Sequence, residues 1–146
     1  MRATHADAHV VPRLSRGIPR KETAVITSNY AYESGDVISS DRVEGTSVYN
    51  EVGDKLGSID DLMIDKRSGQ VRYAVLEFGG FLGMGTERYP LPWSLLKYDT
   101  AKSGYVVPVG KDQLEGAPRY GSADIPSYDA EYGRRVNDYY GVGWLP

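Results

Sequence analysis

Between Ser47 and Val109 the chain is cut into short extended runs by polar, glycine-bearing turns, and this punctuation limits the fold more than any other feature. Ser47-Val48-Tyr49 leads into Asn50-Glu51-Val52-Gly53-Asp54, whose Asn, Gly and Asp tolerate the backbone of a tight turn, and Leu56-Gly57-Ser58-Ile59 resumes the extended pattern. Asp65-Lys66-Arg67-Ser68-Gly69-Gln70 is a second such turn. Asp99-Thr100-Ala101-Lys102-Ser103-Gly104 is a third, flanked by Leu95–Tyr98 and Tyr105–Val109. Three hairpins with no long central helix predict a closed or half-closed β-barrel.

The strand faces refine this picture. Leu62 and Ile64 share a phase with Leu56, whereas Ile59 and Met63 have the opposite one. The strand is therefore either apolar on both faces in places or bulged near Asp60-Asp61. In Val71–Phe78, Val71, Tyr73 and Val75 line one face and Ala74, Leu76 and Phe78 the other, which places this strand centrally, under a second layer. Arg88-Tyr89-Pro90-Leu91-Pro92-Trp93 fits only an edge strand or extended link, because proline has no amide hydrogen for a ladder. Gly79–Thr86 is a glycine-rich loop carrying Phe81, Leu82 and Met84, large apolar side chains that a purely solvent-facing loop does not need.

The two ends read differently. Residues 1–35 show no sustained apolar period, and the first 21 of them are basic, with Arg2, Arg13, Arg16, Arg20 and Lys21 against Asp7, so the segment is expected to be a flexible, disordered tail. A single helical turn between Asp36 and Gly45, capped by Asp41, opens the folded domain, and Asp112–Glu115 forms another turn near its end. The predicted long helix begins at Pro126 or Ser127 and runs for about 14 residues to the stop at Gly141. Tyr128, Tyr132, Val136 and Tyr139 make its apolar stripe, to be packed against the barrel or another subunit, with Trp144 finishing the contact.

Composition removes several chemistries. With no cysteine, disulfides, thiolate metal sites and a cysteine nucleophile are excluded. Twelve Tyr against two Phe imply rings kept at wet edges and interfaces. No apolar run approaches the roughly 18 residues of a membrane span, and no secretory leader is visible, so a cytoplasmic location is expected. The net charge of −3 leaves an acidic body beyond the basic tail, which argues against nucleic acid as a partner.

The remaining candidate chemistry is sparse. His5 and His9 have a helical metal-ligand spacing, but a flexible tail does not preorganise it, and Asp60, Asp61 and Asp65 lack the spacing of a calcium loop. Glu77, in an otherwise apolar strand, reads either as the partner of Arg88 or Arg72 or as a partly buried carboxyl of perturbed pKa. The glycine loop lacks the Lys-Ser/Thr pair of a phosphate-binding loop. No cofactor, metal or catalytic residue is assigned.

Gly45, Val48-Tyr49-Asn50, Gly53 through Leu62, Ile64-Asp65, Ser68-Gly69 and Val71–Leu76 resemble the first half of the PRC-barrel family, and Gly79–Gly85, Pro90-Leu91-Pro92-Trp93, Leu96 and Tyr98 are similar to its second half. The segment Tyr132–Gly141 resembles extensions on bacterial members. The resemblance implies an all-β fold: a small, mostly antiparallel PRC-type barrel over residues 36–120, with a C-terminal α-helical extension over 121–146. It also implies contact with other macromolecules, as in the photosynthetic reaction-centre H subunit and ribosome maturation factors. The expected function is a non-catalytic interaction module that self-associates as a homodimer or higher homo-oligomer. Its candidate contacts are Phe81, Leu82, Met84, Trp93, Tyr128, Tyr132 and Tyr139. The alternatives are a small-ligand binder or carboxylate-dependent enzyme using the barrel interior, and an adaptor bound to membrane or RNA through the tail.

Overall fold

Three polar side chains close the three hairpins. In the computed structural model, which describes residues 36–79 and 85–144, Asn50 Oδ1 accepts from the Asp54 amide at 2.8 Å. This turn joins β1 (Ser47–Tyr49) to β2 (Lys55–Ile64). Asp65 Oδ1 accepts from the amides of Arg67 and Ser68 at 2.8 and 2.9 Å, and Gly69 takes the left-handed backbone that completes the turn into β3 (Val71–Phe78). Asp99 does the same for Ala101 and Lys102 between β5 (Lys97–Asp99) and β6 (Gly104–Val106).

Among the described residues six strands form one sheet in the order β4-β3-β2-β1-β6-β5, with β4 (Glu87–Pro92) at one end, followed by a 3₁₀ turn over Trp93–Leu95. Four of the five adjacent pairs are antiparallel, while β1 and β6 run parallel. The expected barrel is therefore met in part, as a mostly antiparallel sheet whose ladder does not close between β4 and β5. Proline explains the open end at β4. The Arg88 amide points away from β3 and donates to Tyr120 O at 2.8 Å, so residues 90 and 92, in the same phase, also face outward. Pro90 and Pro92 have no hydrogen to offer there.

The ambiguity in β2 resolves as a bulge. Ile59 pairs with Leu76 and Asp61 with Val75, which leaves Asp60 as the extra residue. Within the chain from Ser40 on, which forms a compact unit of its own, β3 is buried along its middle and serves two clusters. Ala74 and Leu76 join Val48, Ile59, Leu91 and Val107 in the main core, whereas Tyr73 packs with Tyr132 and Val136 in a second cluster.

Among the described residues three helices flank the sheet: α1 (Ser40–Val43), α2 (Lys111–Glu115) and α3 (Ala130–Tyr140). Asp41, expected as a cap, lies inside the single turn of α1. The long helix starts later than predicted, because Asp129 is the cap: its Oδ1 accepts from the Tyr132 amide at 2.9 Å, and Tyr128 falls outside. No helix among the described residues is long and apolar enough to cross a membrane. The basic segment over residues 1–35 lies outside the described residues.

One close approach is strict. A Cβ on Gly57 of β2 meets the Glu77 carbonyl oxygen far inside contact distance and Leu76 Cδ1 at 3.2 Å. Gly57→Ala is expected to lower the unfolding free energy by about 1–3 kcal/mol, the usual cost of overpacking, as a reduced urea midpoint at unchanged slope.

Candidate interaction surface

The 79–86 loop springs from a pinned base. The β3–β4 ladder holds register up to the pair Phe78–Glu87, and the Phe78 ring meets Tyr89 edge-on with centroids 5.4 Å apart. One step inside, Arg88 Nη1 lies 3.1 Å from Glu77 Oε2 while its Nε donates to Asp60 Oδ2 at 3.0 Å. Thr86, at the end of the loop, receives a hydrogen bond from Arg88 Nη1 at 3.2 Å and donates to Glu77 Oε2 at 3.4 Å. Each ion pair is partly exposed and individually weak, but together they fix one guanidinium between three groups. Glu87 is held in turn by Arg119 Nε at 2.6 Å.

Glu77 thus pairs with Arg88, one of the two partners its position allowed, because Arg72 is committed to Asp65 at 2.7 Å. Asp60 reaches Arg88 from the bulge. Asp61 Oδ1 accepts from the Leu62 amide, so the three aspartates are engaged separately. Among the described residues no group of three His, Asp or Glu converges to hold a metal ion. Phe81, Leu82 and Met84 lie outside the described residues, as do His5 and His9.

The second candidate element is α3. Its inward face carries Tyr132, Gly133, Val136 and Asn137, with Tyr140 half-buried beside both clusters. Tyr139, expected on this face, is instead exposed and donates to Gln113 O of α2. With Tyr132 and Val136 on the sheet side, four-residue spacing brings residue 140, not 139, onto the same face. Tyr128, on the segment before the helix, packs on Tyr132 and Tyr73 with centroids 5.1 and 5.7 Å away, and its hydroxyl lies 2.6 Å from that of Tyr120. Burial pushes the Tyr132 hydroxyl up to about 12 and raises those of Tyr128 and Tyr140, so these rings stay neutral at physiological pH.

A buried polar latch crosses this apolar contact. Tyr73 OH donates to Asn137 Oδ1 at 3.1 Å, and Asn137 Nδ2 donates to Gly143 O at 3.0 Å, tying strand, helix and following segment together. Gly133 makes the fit possible, since a Cβ there stands 2.7 Å from Trp144 Nε1 and 2.9 Å from Tyr73 OH. The Arg134 guanidinium covers the Trp144 ring at 4.6 Å. Trp93, the remaining candidate, is half-buried against Tyr105 at 5.7 Å.

The three hairpins, the proline-bearing fourth strand and the return of β6 beside β1 coincide with a family model: the PRC-barrel domain matches residues 35–114. The chain belongs to the PRC-barrel family. A search of curated proteins found no match. The match ends within α2, so the PRC barrel proper contains β1 to β6 and the pinned loop base, whereas α3 and its tyrosines are additions to it.

Two outcomes follow for this PRC barrel. Tyr73→Phe leaves Asn137 Oδ1 buried without its donor, so urea unfolding is expected to show a loss of about 1–3 kcal/mol. Asp65 is held down to about 2 by the Ser68 amide, then by Arg72 and the Arg67 amide. A depressed carboxylate stabilises the fold above its unfolded pKa and loses that effect as pH falls through the folded one. The melting temperature of the wild type is therefore expected to exceed that of Asp65→Asn at neutral pH, with the gap closing between about pH 4 and pH 2.

Proposed function

We propose that this PRC barrel is a non-catalytic interaction module that holds a protein partner and associates with copies of itself. The observation that carries the reading is the pinned base of the 79–86 loop. Arg88, Glu77, Asp60 and Thr86 fix both ends of a segment whose sequence supplies Phe81, Leu82 and Met84. Anchored ends lower the entropy lost when apolar loop residues dock, and such residues are favoured interface anchors. The C-terminal helix adds Tyr139 at the rim of the same reading, while Tyr128 and Tyr132 stiffen it from beneath.

The filling of the main core supports placing the working surface outside. Leu56, Ile59, Leu76, Leu91, Tyr105 and Leu114 are packed there, each under a tenth exposed. A ligand-binding interior needs convergent polar groups, and this lining is apolar.

Multi-angle light scattering of the wild type and of the Phe81→Asp/Met84→Asp double variant tests the proposal. The wild type is expected above monomer mass and the variant at a lower mass than the wild type. A monomeric wild type overturns self-association, and an unchanged mass in the variant overturns the loop as its contact.

A further inference from the structure

The end of the sheet opposite β4 carries a second, self-complementary edge. Among the described residues β5 pairs only with β6, and β6 fixes which of its groups are used. The Val107 amide donates to Tyr49 O at 2.9 Å, so residues 107 and 105 face β1 and residues 106 and 104 face β5. Val106 opposes Lys97 and Gly104 opposes Asp99, so the backbone groups of Lys97 and Asp99 are turned inward to β6. That leaves the N–H and C=O of Tyr98 pointing outward from the edge.

The side chains around this free pair are arranged so that the edge matches itself. Two β5 strands laid antiparallel about Tyr98 exchange both Tyr98 backbone bonds and set Lys97 of each chain opposite Asp99 of the other, twice by symmetry. Lys97 is exposed, and Asp99 is oriented by the turn amides of Ala101 and Lys102 on its Oδ1. On the other face Tyr98 is 53% exposed at the end of an aromatic row, packed edge-on to Tyr105 at 5.3 Å, which in turn meets Trp93 at 5.7 Å. Pairing continues that row into the second copy. The opposite edge offers no such match, because Pro90 and Pro92 remove its outward donors.

We propose that β5 is a two-fold docking edge whose occupant is the β5 strand of a second copy of this chain, held by the Tyr98 backbone pair and reciprocal Lys97–Asp99 contacts. The contact is short, well below a standard stable interface, so the dimer it forms is readily dissociable. It is separate from the 79–86 loop and does not depend on that loop making a contact.

Sedimentation velocity across a concentration series tests it, in the wild-type and Phe81→Asp/Met84→Asp backgrounds so that the two contacts are read apart. Lys97→Glu places Glu opposite Asp99 and is expected to weaken the edge dimer at least about tenfold. Mixing Lys97→Glu with Asp99→Lys restores both charge pairs and is expected to return the dimer, a rescue that a merely structural role for Lys97 does not give. Where Asp99→Lys fails to fold because it loses the turn cap, Tyr98→Pro replaces it: it removes an amide that β6 does not use, and is expected to abolish the edge dimer. Monomer throughout the series in the Phe81→Asp/Met84→Asp background, or an assembly there that is indifferent to Lys97→Glu, overturns the proposal. Loss of the loop contact alone in the Asp variant leaves it standing.

Discussion

Burial of β3 on both faces is the constraint from which the remaining architecture follows. Ala74 and Leu76 enter the main core while Tyr73, in the opposite phase, enters the second cluster, so a single covering layer leaves half of the strand against water. The hairpins supply one covering and α3 the other. The dependence is mutual. An eleven-residue helix is marginal alone in water, and its stability comes from laying Tyr132 and Val136 on the strand. The latch through Asn137 then selects one register for that contact, because any sliding of the helix leaves the Tyr73 hydroxyl or the Asn137 amide buried without a partner.

The two ends of the sheet solve the problem of an exposed edge in opposite ways. At β4 the single outward-facing amide, that of Arg88, is consumed by Tyr120, and the next two outward positions are prolines. No ladder bond to β3 is lost, since the inward positions, Tyr89 and Leu91, keep their amides. The edge is sealed to strand addition at no cost to the pairing that holds it. At β5 brevity and charge do this work, and both are weaker devices than proline. Lys97 and Asp99 repel most strands, but not one that presents the same two charges in reverse order.

Local chemistry was legible in the sequence, and long-range chemistry was not. The three hairpins follow from turn residues that act on their own neighbours, as Asp65 does on Arg67 and Ser68, so no knowledge of the fold is needed to place them. The prolines of β4 likewise announce an edge. The start of α3 was misplaced because Pro126 and Ser127 are plausible openers, and only the geometry shows Asp129 accepting from Tyr132. The buried stripe continues from Val136 to Tyr140 at four-residue spacing rather than to Tyr139 at three, a choice that periodicity alone leaves open. The bulge at Asp60 stayed open because phase alone does not distinguish a bulge from a two-faced strand; pairing with Leu76 and Val75 does. Asn137 gave no signal, since what makes it a buried polar link is a tyrosine 64 residues earlier.

The two candidate contact elements rest on one shared strand. Tyr73 and Glu77 have the same phase on β3, about 13 Å apart at the usual rise per residue, so the face that seats the helix also bears the carboxylate that pins the loop. Between them Val75 faces Pro90 of the sealed edge. The far end of this stretch of β3 is tied by Arg88 to Asp60 and Thr86. Close-packed interiors transmit strain rather than absorb it. The helix that lies beyond the PRC-barrel match thus docks on the same strand that carries the base of the loop.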